Sequence, residues 1–220
     1  MSIASPGRAL VGLGLLALPL SASAADLGAT IAKQGNDKGA TACVSCHGAD
    51  GGGQGGAGFP RLAGMSADYM AKQLRDLQGD ARNNATMNPI AAALSDEEIT
   101  AVSKHYAAME PPRKAPGSGD VAEDRLARGK VIAERGIWDK GVPACTSCHG
   151  PDGRGVGATF PALAGQHAGY IRAQINAWQS GDRSNDPNRL MDVVAERLSG
   201  DQAAAVAAYF ASLPAAPADQ

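Results

Sequence analysis

The chain has 220 residues, 44% hydrophobic but only 4% aromatic, and its 20 lysines and arginines against 22 aspartates and glutamates give a formal net charge of −2. That mildly acidic balance excludes the basic stripe on which nucleic-acid binding depends. The length suits two small units, each with its own core.

The first element is a targeting segment. Arg8 supplies a positive charge, Ala9 to Leu20 is an apolar run too short to span a bilayer, and Ala22-Ser23-Ala24 or Ser23-Ala24-Ala25 offers a small-residue cleavage site. Residues 1–24 read as a cleaved signal peptide, so the mature protein works outside the cytoplasm, and the loss of Arg8 leaves it one charge more negative. No later stretch is apolar enough to cross a membrane.

Next comes Cys43-Val44-Ser45-Cys46-His47, and the same pattern returns as Cys145-Thr146-Ser147-Cys148-His149. Cys-X-X-Cys-His is the spacing of a c-type haem attachment site, in which both sulfurs form thioethers to one porphyrin and the histidine ligates iron. Cysteines three apart share one face of a helical turn, and the next residue projects over the ring. Two motifs therefore predict two covalently attached haem c groups. A zinc held jointly by the two pairs, or a redox-active dithiol at each, explains neither the histidine after each pair nor the long separation between pairs. All four cysteines are thereby used, which leaves none for a disulfide or a nucleophile.

Glycine-rich stretches after each histidine, such as Gly51 to Gly56, read as loops. Ser66 to Leu77 and His167 to Trp178 read as one pair of helices. Ser95-Asp96-Glu97-Glu98 and Ser199-Gly200-Asp201-Gln202 are capping boxes that open another pair, ending near Met109 and Leu213. Glu123 to Glu134 reads as the helix before the second motif. Residues 110–120 contain three prolines, two glycines and a serine, which marks a linker between a unit at 25–109 and a unit at 121–220. No strand pattern is visible, so the fold class is all-α.

The two units are copies of one another. At an offset of 102 the motifs coincide, together with Gly48, Asp50 and Gly51 on Gly150, Asp152 and Gly153. At 101, Phe59-Pro60, Leu62-Ala63-Gly64, Tyr69 and Gln73 fall on Phe160-Pro161, Leu163-Ala164-Gly165, Tyr170 and Gln174; at 104, Leu94-Ser95 falls on Leu198-Ser199. Units of this size have marginal cores, and a haem adds a large apolar core element to each.

The duplication selects a second iron ligand. Met65 falls opposite Gln166, Met70 opposite Ile171 and Met109 opposite Leu213, whereas Met87 and Met191 correspond, 40 and 42 residues after His47 and His149. Met87 and Met191, each in a polar loop before an apolar helix, are the expected distal ligands, because paired histidine and methionine suit an electron-transfer haem. The other three methionines read as core fillers. His105 and His167 oppose Tyr209 and Ser66 and read as surface or helix-face residues. A carbonyl at Pro60 or Pro161 suits the second ring N–H of the proximal histidine, unless these are simple turn prolines. Tyr69, Tyr170, Phe59 and Phe160 read as haem-packing side chains. Lys72, Arg75, Arg82, Arg183 and Arg189 are candidates for a docking surface, against the alternative of solvated helix faces.

The two motifs, the Phe59-Pro60-Arg61-Leu62-Ala63-Gly64 and Phe160-Pro161-Ala162-Leu163-Ala164-Gly165-Gln166 segments, and Met191 ahead of Ala195-Glu196-Arg197-Leu198-Ser199 resemble the cytochrome c4 family. The resemblance implies two tandem class I cytochrome c folds with facing haems, in a periplasmic carrier moving one electron per haem. Its expected partners are a quinol-cytochrome c reductase as donor and a terminal oxidase as acceptor, and peripheral membrane association is compatible with that role. Met65 departs from the glutamine usual in the family. A competing role is the dihaem acceptor subunit of a flavoprotein dehydrogenase of the sulfide-oxidising type, built from the same His/Met units. A third, enzymatic role, as in dihaem peroxidases or thiosulfate-oxidising cytochromes, requires an open or unusual iron position.

Overall fold

The structure is a computed structural model that describes residues 1, 24–79, 81–112, 121–186, 188–215 and 217. The expected signal peptide, but for its two ends, and residues 113–120 of the expected linker lie outside the described residues. The first half contains α1 (Ala24–Gln34), α2 (Val44–His47), α3 (Ala67–Gln78), α4 (Met87–Ala92) and α5 (Asp96–Ala107). The second contains α6 (Glu123–Arg135), α7 (Thr146–His149), α8 (Ala168–Ser180), α9 (Leu190–Arg197) and α10 (Gly200–Ser212). Among the described residues the only β pairing is four isolated bridges. The chain is all-α.

The helix starts follow from local chemistry. Ser95 accepts from the Glu98 N–H while Glu98 reaches back to the Ser95 N–H, and Ser199 with Gln202 repeats the arrangement, so both capping boxes form. Ser66 caps α3 by accepting from the Tyr69 N–H. The helix α1, ahead of the first motif, was not expected from sequence; it is the counterpart of α6. A helix of 11 residues is marginal by itself, and packing against α5 supplies the missing stabilisation.

Each half is organised around one helix crossing, α1 on α5 and α6 on α10. Gly28 and Gly129 make those crossings close: an added Cβ would lie 2.3 Å from the Ala101 carbonyl oxygen or 2.1 Å from that of Ala205. The crossing buries Ile31 and Ala32 with Ile99, Val102 and Tyr106 in one half, and Ile132 and Ala133 with Val206 and Phe210 in the other. Helices α3 and α8 close the remaining side of each core against α5 and α10.

Gly28→Ala and Gly129→Ala are each expected to lower stability by about 1–3 kcal/mol through overpacking. Gly200→Ala, where nothing lies within 4 Å of the added methyl, serves as the near-neutral reference. Thermal unfolding of the haem-loaded variants measures all three.

Candidate functional site

The two motifs form the same short turn. The His47 N–H donates to Cys43 O and the His149 N–H to Cys145 O, both at 2.9 Å, which holds the first cysteine and the histidine on consecutive parts of one helical turn. Gly48 (φ 79°) and Gly150 (φ 77°) then take a left-handed conformation that ends the turn at once. The loop doubles back, Gly53 N–H to His47 O at 2.8 Å and Gly155 N–H to His149 O at 2.7 Å, so each imidazole is trapped between its turn and the following segment.

Both imidazoles are buried, and each has one nitrogen already engaged. The Pro60 carbonyl lies 2.9 Å from His47 Nδ1 and the Pro161 carbonyl 2.8 Å from His149 Nδ1. A carbonyl accepts only from a ring N–H, which assigns the proton to Nδ1 and leaves the Nε2 lone pair free to ligate a metal. Burial pushes both imidazoles below the ordinary histidine range, against the opposing effect of the proline carbonyls, and Arg183 adds to the lowering at His149. Neutral imidazole is the ligating form. Phe59 and Phe160 pack against these rings at centroid distances of 6.3 and 6.2 Å.

Cys43, Cys46, His47 and Met87 of the first half and Cys145, Cys148, His149 and Met191 of the second all border one cavity of about 470 Å³ that runs between the halves. The four thiols are unpaired. Met87 is the first residue of α4 and Met191 the second of α9, so both stand in a helical first turn rather than in the loop expected from sequence. A side-chain oxygen holds each methionine backbone in place: Asn84 Oδ1 accepts from the Met87 N–H at 2.9 Å, and Asp186 Oδ2 accepts from that of Met191. Those bonds substitute for the helical partners that a first-turn N–H lacks. Met65 and Met70 are buried in the first core and also border the cavity, whereas Met109 packs against that core from its edge.

The side chains fit a pair of haems better than the alternatives. Burial pushes the Cys145 thiol up to about 11 and the Cys43 thiol upward, opposite to the depressed thiol of a redox-active dithiol. Among the described residues no three His, Cys, Asp or Glu side chains come together as a metal-binding group, so a zinc shared by both pairs has no site. Ser103 Oγ and Trp178 Nε1 are buried without a hydrogen-bond partner in the protein, and both residues border the cavity. Orphaned polar atoms facing an apolar cavity suit an apolar macrocycle with polar substituents.

Sequence reasoning missed the polar cluster between the halves. Arg82 donates to Gln73 (3.1 Å), Tyr170 (2.9 Å) and Gln174 (2.9 Å); Arg183 donates to Tyr69 (3.2 Å), Gln73 (2.9 Å) and Gln174 (2.9 Å). The two arginines also pair through an antiparallel backbone bridge. The docking-surface reading is therefore corrected for Arg82 and Arg183; Lys72 stays half-exposed while its Nζ bonds to Asp76 and the Asn185 carbonyl at the edge of the seam. Arg75 and Arg189 are exposed and paired, with Asp96 and with Asp192 and Glu196. The signal was present in the sequence: Arg82 and Arg183 stand at the same offset of 101 as the tyrosines and glutamines they bond. His167 also departs from expectation. It is buried and its Nε2 lies 2.9 Å from the Gly52 carbonyl in the other half, whereas His105 lies on the partly exposed face of α5.

The sequence profile of the family described as cytochrome c matches residues 26–107 and again residues 126–214. A thiosulfate dehydrogenase electron acceptor of Stutzerimonas stutzeri (strain A1501) is 50% identical over 205 residues, covering 93% of this chain and 94% of that one. A cytochrome c4 of Pseudomonas aeruginosa is 34% identical over 208 residues, covering 94% and 98%. The solved thiosulfate dehydrogenase of Marichromatium purpuratum, in its as-isolated form, matches with a TM-score of 0.79 and 43% identity over 86% of this chain. This chain spans 40% of that one. No described helix is long and apolar enough to cross a membrane.

Replacing Cys145 and Cys148 together by alanine is expected to halve the haem retained on the denatured chain. Haem content per polypeptide after denaturing electrophoresis measures this, with the Cys43/Cys46 double variant as the matching experiment.

Proposed function

The chain belongs to the cytochrome c family, in its dihaem cytochrome c4 branch, and we propose that it takes electrons from a thiosulfate-oxidising dehydrogenase in the periplasm and delivers them to a second redox protein. It is an electron carrier with two covalently bound haem c groups, one at each Cys-X-X-Cys-His motif. Each haem, when bound, supplies a one-electron centre; the chain supplies attachment, orientation and tuning.

In this reading the units are 25–109 and 121–220, joined by 110–120. Cys43, Cys46, Cys145 and Cys148 are the thioether positions, His47 and His149 the proximal ligands, and Met87 and Met191 the distal ones. Several observations support it. The Pro60 and Pro161 carbonyls orient the imidazoles and raise their basicity toward iron. Asn84 and Asp186 anchor the methionine backbones at the edge of the same cavity. Met87 and Met191 each bring a thioether to the cavity lining, and thioether ligation at both irons suits transfer of electrons rather than chemistry on a substrate.

The donor assignment is carried by one observation: identity over nearly the whole chain is 50% to the thiosulfate dehydrogenase electron acceptor and 34% to the cytochrome c4. The Marichromatium dehydrogenase, in which a comparable fold occupies part of a longer chain, points the same way. A dehydrogenase is thus preferred over a quinol-oxidising complex as donor, and a thiosulfate oxidiser over a flavoprotein. A terminal oxidase fits the role of onward acceptor.

Mixing the oxidised holoprotein with purified thiosulfate dehydrogenase and thiosulfate is expected to reduce both haems within the turnover time of the enzyme, read by stopped-flow absorbance. Reduction no faster than with thiosulfate alone, alongside rapid reduction by a quinol-oxidising complex, returns the donor to the latter. For the ligands, carbon monoxide is expected to leave the reduced spectrum unchanged. Met87→Ala and Met191→Ala should each open about half of the haem to it.

A further inference from the structure

Arg61 heads the fully buried side chains by size among the described residues, with 1% of its surface exposed. Its guanidinium bonds only to main-chain carbonyls: Nη1 to Ala63, Nη2 to Ala164 at 3.1 Å and Nε to Gly165 at 3.3 Å. No described carboxylate forms an ion pair with it. Ala63 and Ala164 are the same position in the two copies, so the cation lies where one backbone stretch faces its own duplicate. The backbone of Arg61 is clamped across that seam as well, its N–H donating to Gln166 Oε1 at 2.9 Å and its carbonyl accepting from Gln166 Nε2 at 3.0 Å.

The counterpart of Arg61 is Ala162, itself 3% exposed. One guanidinium fills the centre, and a second arginine there would force two cations together. Burial lowers the Arg61 guanidinium to about 10, which still leaves it charged at neutral pH. Burying a cation without a carboxylate is costly, and an apolar side chain would serve packing at least as well. The three main-chain carbonyls that accept from it offset part of that cost. Arg61 borders the haem cavity beside Pro60, whose carbonyl holds His47. In a medium of low dielectric, a fixed positive charge favours the iron state of lower positive charge.

We infer that Arg61 raises the potential of both haems: a buried cation near the centre of the seam, alongside Arg82 and Arg183, that favours the reduced form at each iron. It acts through space, without ligating either metal. The inference rests on the presence of two haems and is independent of which protein donates the electrons.

The test is a spectroelectrochemical titration of the holoprotein, after haem content has been counted, for wild type, Arg61→Lys, Arg61→Met and Arg61→Gln. The neutral variants are expected to shift both redox equilibria toward the oxidised form by about tenfold, which is about 59 mV for one electron. Arg61→Lys, which keeps the charge and loses the three-carbonyl fit, should stay within about threefold of wild type while losing thermal stability. Unchanged potentials in the neutral variants overturn the inference, as do equal shifts in the lysine and methionine variants, or a shift at one haem only. Arg61→Gln, which keeps an amide donor for the carbonyls, carries the comparison if the methionine variant fails to retain both haems.

Discussion

Three arginines meet between the halves of this protein, and the rest of the arrangement depends on how they are satisfied. Arg61, Arg82 and Arg183 form no ion pair with a described carboxylate. Their hydrogen bonds run instead to carbonyls, tyrosine hydroxyls and glutamine or asparagine oxygens, and most of those acceptors belong to the opposite half. Bonds to a charged donor contribute about 1.5–3 kcal/mol each, and leaving such a donor unpaired in the interior costs more. The mutual orientation of the halves satisfies all three at once. That orientation also seats His167 against the Gly52 carbonyl and makes one continuous cavity out of two pockets.

The duplication explains why the same device appears at each motif. The glycine loop of one copy brings the Leu62 and Ala63 N–H groups to the Gly51 carbonyl, and that of the other brings Leu163 and Ala164 to Gly153, at 2.8 and 3.0 Å in both. Those loops leave space for the ring of Tyr106 or of Phe210, and they deliver Pro60 or Pro161 to the imidazole. Along the seam the copies keep Arg82 and Arg183 alike but diverge around Arg61. Arg61 faces Ala162, Gln166 replaces Met65, and His167 stands in place of the capping Ser66. A position near the axis of a duplicated pair has room for one large polar group, so identical residues there would collide.

Much of the site was legible because its chemistry is local. A turn that carries two cysteines and a histidine needs only five consecutive residues, and the duplication then picked out Met87 and Met191 from five methionines. Three residues depart from expectation for a common reason: Arg82 and Arg183 read as surface charge and His167 as a surface or helix-face histidine, because one helix considered by itself gives no sign of a neighbour that arrives from about a hundred residues away. The helix α1 is fixed in place by the close crossing of Gly28 with α5, a contact between segments about seventy residues apart.

The sequence by itself determined the number of haems, their covalent attachment and the repeat of one helical unit, and it nominated the residues proposed as iron ligands. These follow from spacing within a turn and from comparison of one half with the other. Tertiary structure alone decided that the arginines point inward, that the Asn84 and Asp186 side chains hold the two methionine backbones, and that Arg61 lies at the centre of the seam. Those features depend on how two folded surfaces meet. Burial of a charge becomes tolerable only when the opposite surface supplies the acceptors its own half lacks, and no local pattern records that.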